Sequence, residues 1–343
     1  SRQTGVFVRH LGGNNPALAE VSMRGFGENS NGRVLILVDG ERLNNPDMST
    51  PNLSRIPLQA IDHVEILHGP QTVLLGDYAE AGVINIVTDT KDYKKETTFE
   101  VHGGSWNTIG THLGTRGGLE DELVAYWAAF DWEHSGGYRE NSGYDIWSAN
   151  GGVRKDWKNG SYLRFSTFYN DSQYDLPGQL TRDQWKNSPR LSTHPSDWAR
   201  LTTYGLNTTA YGVLNDENAL KLGFTASRRK TTASFHYNAN PAWWQPAYDD
   251  VSGYDIYSYS ITPQYILTAP VFGFANELTV GADLRWDTDH GYEHSYYTHE
   301  KRDYTRLTTG LFAQDEFFLL DNLSVVLGVR GERNFARNTL TTP

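Results

Sequence analysis

From about residue 97 onward, apolar and polar residues alternate with a period of two in one segment after another, which marks strands with one apolar face. In 277–287, Leu278, Val280, Ala282, Leu284 and Trp286 share a face, with Thr279, Gly281, Asp283, Arg285 and Asp287 on the other. Residues 322–333 set Leu323, Val325, Leu327 and Val329 against Ser324, Val326, Gly328 and Arg330, and "ALKLGFTASRR" (219–229) and "YLRFSTFYND" (162–171) behave similarly. Eleven strands are predicted, at about 97–106, 107–117, 122–134, 145–156, 160–171, 200–213, 219–232, 252–267, 277–288, 303–319 and 322–335, with the weaker 233–239 as a twelfth or an extension into a loop. Their connections alternate in length. Short ones fall at "GLEDE", "KNG", "LNDEN", "TAPVFGFAN" and "LDN", and long ones at 135–144, 172–199, 233–251 and 289–302, the brief "GGSWN" being the exception. Strands with an apolar outside and a polar inside, turned tightly at one end and looped at the other, fit a membrane barrel. A soluble sandwich or lipocalin-like barrel fits any one strand, but hides its apolar face and rarely needs so many equal hairpins in up-and-down order.

The first 92 residues follow another pattern. "RVLILVDG" (33–40) is a short, nearly continuous apolar strand of the kind buried on both faces, ending in the turn signal Asp39-Gly40. "HVEILHG" (63–69) and "AGVINIVTD" (81–89) predict two more strands. Between them, "NLSRIPLQAID" and "QTVLLGDYA" are long enough only for single helical turns. Gly69-Pro70, Gly76 and Gly82 are placed to supply tight turns and close approaches. On periodicity alone, a small unrelated α/β domain fits this region equally well.

Composition narrows the class. Aromatics at 13%, 33 glycines, two methionines and a mean hydropathy of −0.57 favour many strands with polar turns over packed helices. No window approaches the roughly 18–20 consecutive apolar residues that a membrane-spanning helix needs, so a membrane role would require strands. A net charge of −11 without clustered Lys or Arg argues against nucleic acid as a partner. The absence of cysteine removes disulfides and thiolate metal sites. No signal peptide is visible in "SRQTGVFVRHLGG".

Four linked stretches carry a family resemblance: Arg24-Gly25 in "VSMRGFG", "VLILVDGERLN", "IPLQAIDHVEILHGP" and "AEAGVINIVT". Their order and spacing over residues 20–89 closely resemble the plug domain of TonB-dependent outer-membrane receptors. "YDLPGQLT" (174–181) is similar to loop segments of that family's iron-complex importers. The resemblance implies an antiparallel membrane β-barrel of 22 strands with a small mixed α/β plug domain in its lumen. It implies plug at 1–92 and the first half of the barrel at 93–343, with the TonB box before Ser1 and the remaining strands beyond this chain. It further implies no catalysis and no resident cofactor. The partners implied are the TonB-ExbB-ExbD energy-transducing complex, outer-membrane lipid and a small metal-chelate ligand. An iron-siderophore complex comes first as cargo, then cobalamin, then haem or a glycan. Two positions depart from the family pattern: His68 replaces a usual arginine, and Glu41 a usual apolar residue.

Several residues are candidates for the site. The resemblance ties Arg24 and Glu65 to ion pairs between plug and barrel; simple solvation is the alternative. "FGENSN" would form a plug apex, offering Phe26, Glu28, Asn29 and Asn31 to a ligand, and "NNPDMS" (44–49) another, although ordinary turns use the same residue types. Trp243, Trp244 and Tyr248, in a long polar loop, supply large rigid surfaces, whereas the interfacial girdle of a barrel accounts for most tryptophans. His290, His294 and His299 read as one loop with Asp289, Glu293 and Glu300. These types can ligate a transition metal, yet loop spacing fixes no geometry and a solvated surface fits as well. No hydrolase, zinc-protease or phosphate-loop motif occurs. The sequence therefore reads as a receptor for energised import. A non-transporting surface-binding barrel and a secreted β-rich carbohydrate enzyme are the alternatives.

Overall fold

The structure, a computed structural model, describes residues 5–10, 15–26, 30, 32–88, 93–239, 242, 244–271, 273–320 and 322–341. In the first part, β1 (Val6–His10) pairs antiparallel with β2 (Ala19–Met23). A second sheet has the order β4-β3-β6-β5, from β3 (Val34–Val38), β4 (Glu41–Arg42), β5 (His63–His68) and β6 (Gly82–Val87). All five residues of β3 are buried, as its unbroken apolar run requires, and it runs parallel to β6. Asp39 and Gly40 both take positive φ, 54° and 85°, the geometry of a two-residue hairpin turn. The two segments predicted as single turns form them, at Leu53–Arg55 with Leu58–Ala60 and at α1 (Thr72–Leu75). A Cβ on Gly82 would lie 2.6 Å from the Leu67 carbonyl oxygen and 2.8 Å from Met23 Cε, so only glycine lets β6 start here.

The second part is one sheet of eleven consecutive antiparallel strands. They are β7 (Glu96–Gly104), β8 (Thr108–Leu119), β9 (Val124–Ser135), β10 (Tyr144–Asp156), β11 (Tyr162–Asp175), β12 (Trp198–Val213), β13 (Asn218–Tyr237), β14 (Tyr248–Leu267), β15 (Ala275–His294), β16 (His299–Leu320) and β17 (Leu323–Thr341). The alternation read on β15 holds: Val280, Leu284 and Trp286 are 42%, 46% and 52% exposed on the convex face, while Asp287 is 1% exposed and points inward. Leu163, Phe165, Leu220, Leu222 and Leu311 join that outer apolar surface. Among the described residues no helix is long and apolar enough to cross a membrane, and strands of this kind cross without one.

Connections 120–123, 157–161, 214–217, 268–274 and 321–322 lie at one end, the turn end, and 105–107, 136–143, 176–197, 238–247 and 295–298 at the other, the loop end. Two loops are shorter than the sequence suggests. The ladders of β13 with β14 and of β15 with β16 run on to Tyr237↔Tyr248 and His294↔His299, so 233–239 belongs mostly to β13 rather than to a loop or a twelfth strand. The long connection 176–197 keeps its length and carries α2 (Arg182–Asn187), started by a Thr181/Gln184 capping box.

Candidate functional site

The first part sits against the concave face of the sheet and is tied to it by polar side chains from inward positions of the strands. Asn52 Nδ2 donates to Asn170 Oδ1 at 2.9 Å, Asn170 Nδ2 donates to Ser148 Oγ at 2.9 Å, and Ser148 donates to the Ser54 carbonyl. The Leu58 N–H donates to Asp131 Oδ2 at 2.9 Å. Arg164 pairs with Asp39, both side chains nearly sealed from solvent; Asp39 also accepts from the Thr88 N–H and Oγ1 at 2.7 and 2.6 Å. Arg116 meets Asp62 at 3.5 Å, and Arg229 reaches Asp47 at 2.5 Å and Ser49 Oγ at 2.7 Å. Buried charges are retained only when paired in this way.

Inside the plug, the departure at Glu41 is compensated. Glu41 and Arg55 face each other at 3.3 Å, each side chain 6% exposed, and the Arg55 guanidinium lies 3.7 Å above the Phe168 ring. Burial raises the Glu41 carboxyl above its ordinary range, and Arg55 opposes that rise.

Above the plug, at the loop end, the concave wall forms a vestibule of phenols and carboxylates. Tyr237 stacks on Tyr248 with centroids 4.9 Å apart, and Tyr248 meets Tyr296 and Tyr297 at 5.7 and 6.0 Å. Glu293 and Glu300 are directly opposed on β15 and β16, and Asp289 lies within electrostatic range of Asp47, Arg229 and Arg302. Such a surface offers hydrogen-bond acceptors, hydroxyl donors and flat aromatic faces, suited to holding a polar solute.

The sequence candidates are distributed as follows. Phe26 is half-buried, packed on the plug core with the Arg33 guanidinium 4.9 Å over its ring; Glu28, Asn29 and Asn31 lie outside the described residues. Arg24 is an exposed turn residue with φ 55°. Glu65 accepts from Asn85 Nδ2 at 2.8 Å and faces His63 Nε2 at 3.4 Å, so its contacts are within the plug; among the described residues neither Arg24 nor Glu65 makes an ion pair with the wall. Trp243 lies outside the described residues, Trp244 is 94% exposed with φ 51°, and Tyr248 is a strand residue in the tyrosine cluster. The histidine loop is corrected: His290 and His294 belong to β15 and His299 to β16. On the outward register of these strands, His290 bonds Asp303 at 2.6 Å while His294 and His299 meet edge to face at 5.3 Å. Among the described residues no cluster able to hold a metal ion occurs. The ties Asp39–Arg164, Asp47–Arg229 and Asn52–Asn170 were missed; their one sequence signal is a polar or charged residue at an inward strand position.

Comparison with known proteins supplies the lineage. The family described as TonB-dependent Receptor Plug Domain matches residues 1–83. The Vitamin B12 transporter BtuB of Vibrio vulnificus (strain CMCP6) is 29% identical over 171 residues, 50% of this chain and 26% of that protein. An Iron-regulated outer membrane virulence protein of Vibrio cholerae serotype O1 (strain ATCC 39541 / Classical Ogawa 395 / O395) is 41% identical over 76 residues, 20% of this chain and 11% of that protein. Among solved structures, the ferric citrate transporter FecA in its unliganded form superposes with a TM-score of 0.76 at 17% identity. That superposition covers 98% of this chain and 53% of the FecA chain, so the present chain spans about half of it.

Proposed function

Because this chain belongs to the TonB-dependent receptors of the bacterial outer membrane, we propose that the whole protein imports a scarce nutrient across that membrane. In this reading the chain supplies the plug and half of a 22-stranded barrel. Cargo is held in the vestibule between the outer loops and the plug, with Tyr248 and Trp244 as contacts. The observation that carries the reading is a polar-tethered plug within a wall whose opposite face is apolar. Cargo alone cannot move such a plug through a full cycle, since a ligand shifts an equilibrium only by its differential affinity for the two states. Energy delivered by TonB-ExbB-ExbD provides the remainder.

The cargo is a small metal chelate, with an iron-siderophore complex as the first reading. Cobalamin is the second, favoured by the relative that aligns over half of this chain and is named a vitamin B12 transporter. Uptake of radiolabelled ferric siderophores and of radiolabelled cobalamin by cells with and without the receptor, each with and without TonB, tests both. Accumulation of one probe that needs receptor and TonB together supports import. Surface binding of a probe without TonB-dependent accumulation would replace import by a passive binding role.

A further inference from the structure

Three loops at the loop end, 105–107, 136–143 and 176–197, are bonded into one surface over β7–β12, whereas the tyrosine cluster belongs to β13–β16. The Gly136 N–H donates to the Trp106 carbonyl at 2.8 Å, joining the first two loops. Arg139 clasps the third: Nε and Nη2 donate to the Leu191 carbonyl at 3.1 and 2.7 Å, Nη1 to the Gly178 carbonyl at 2.6 Å, and Nη2 to the Pro177 carbonyl at 3.1 Å. Beside it, the Glu140 N–H donates to the Arg190 carbonyl at 2.8 Å, and Arg190 Nε donates to the Tyr138 carbonyl at 3.1 Å. One side chain from each loop meets there. Trp106 and Tyr138 stand edge to face with centroids 5.1 Å apart, and Arg190 Cζ lies 5.0 Å from the Trp106 centroid. Two features of this cluster have no origin in folding. Trp106 and Asn107 have φ of 64° and 57°, a left-handed backbone that asparagine tolerates and a tryptophan rarely adopts. The strained residue is not buried in return, its side chain being 42% exposed and that of Tyr138 41%. The second feature is the open edge of Arg190. Its Nε is held by Tyr138 and one face lies on Trp106, but among the described residues neither Nη nitrogen has an acceptor or a carboxylate partner. Glu140 accepts from the Ser192 N–H at 3.4 Å instead.

We propose that Trp106, Tyr138 and Arg190 form a surface site for an anionic saccharide, separate from the cargo vestibule. It rests on the import reading only for the loop end facing the cell exterior. A guanidinium with free Nη groups takes a carboxylate or phosphate through two parallel hydrogen bonds. The aromatic faces beside it receive the C–H face of a sugar ring, and the indole N–H and tyrosine hydroxyl carry donors for its hydroxyls. A compact small molecule needs most of its surface enclosed, which faces this open do not provide, whereas a saccharide chain is held ring by ring. Because the three loops are already bonded to one another, little ordering is left for the ligand to induce.

The complete receptor in phosphatidylcholine nanodiscs is titrated by calorimetry with three probes: trigalacturonate, its neutral methyl ester, and the phosphorylated oligosaccharide released from lipopolysaccharide by deacylation. At least one anionic probe should bind, roughly ten-fold or more tightly than the methyl ester, the factor carried by about 1.4 kcal/mol. Binding of trigalacturonate supports the site with a free acidic polysaccharide as its source. Binding of the phosphorylated oligosaccharide alone supports it with a lipid headgroup as the source. Arg190→Gln keeps a donor for the Tyr138 carbonyl while removing the charge, and Trp106→Asn puts a residue suited to the left-handed turn in place of the ring. Each should weaken binding of the anionic probe roughly ten-fold. Failure of both anionic probes to bind, equal binding of the methyl ester, or affinity unchanged in either variant would overturn the site. Neither cargo nor TonB takes part, so failure here leaves the import reading to its own uptake test.

Discussion

Replacing Arg55 with methionine isolates one buried charge. At 3.3 Å two unit charges attract by about 5 kcal/mol for an effective dielectric near 20. Methionine removes that attraction and the cation–π contact with Phe168 while leaving Glu41 inside the plug. Breaking such a pair from one side costs about 3–5 kcal/mol, and we expect that loss of plug stability at pH 7. Burial already holds the Glu41 carboxyl above its ordinary range, and loss of Arg55 raises it further. A carboxyl whose folded pKa exceeds its unfolded value binds protons more readily in the folded state. The associated stability is therefore fully present below the unfolded value and is lost as pH rises through the folded one. Accordingly, the deficit of Arg55→Met shrinks as pH falls from 7 toward 4.5, and adding Glu41→Gln recovers most of it at pH 7. The assay is urea-dependent thiol labelling of Val83→Cys, a fully buried plug position, in the complete receptor. A deficit below about 1 kcal/mol at pH 7, or a double variant no more stable than Arg55→Met, would refute the reasoning.

Other substitutions test separate parts of the account. Leu284→Arg on the convex face should cost about 2–4 kcal/mol of barrel stability if it meets hydrocarbon, measured by folding into vesicles, and Thr262→Arg on the concave face far less. Asn170→Ala should cost about 1–3 kcal/mol by leaving Asn52 and Ser148 without their shared partner, seen as faster amide exchange over residues 52–55. Tyr248→Ala should weaken cargo binding roughly ten-fold by removing the centre of the tyrosine cluster, as read by titration of the cargo found in uptake assays. His294→Ala with His299→Ala should leave both cargo affinity and uptake unchanged, because these rings lie on the outward register.

The fold could be read wherever alternation was strong. Leu278 to Trp286 place β15 with its faces the right way round, and the apolar run Val34–Val38 with Asp39-Gly40 gives the buried plug strand and its turn. Strand ends near the vestibule could not be read in this way. Beyond Arg228 and Asp287 the outward residues are no longer apolar, so pairing there is set by ladder register rather than by contrast between faces, and His290, His294 and His299 looked like a loop. Ties between plug and wall were hidden for another reason. Asn52 and Asn170 are 118 residues apart, and Asp47 and Arg229 182 apart. Nothing local marks such partners, and an asparagine or arginine at an inward position looks the same whether it meets plug or water. Glu41 shows the limit from the other side: it stands out as an acid in an apolar position, but only the folded plug brings Arg55 to it.

The most direct test of the central claim, a plug within a wall that faces lipid, is a nitroxide scan along 278–287 of the complete receptor in lipid. Collisions with oxygen should alternate with a period of two, peaking at 280, 284 and 286 and falling at 283, 285 and 287, where the plug side is shielded from oxygen and from a water-soluble nickel chelate. Uniform accessibility along the strand, or positions 284 and 286 closed to oxygen, would contradict it.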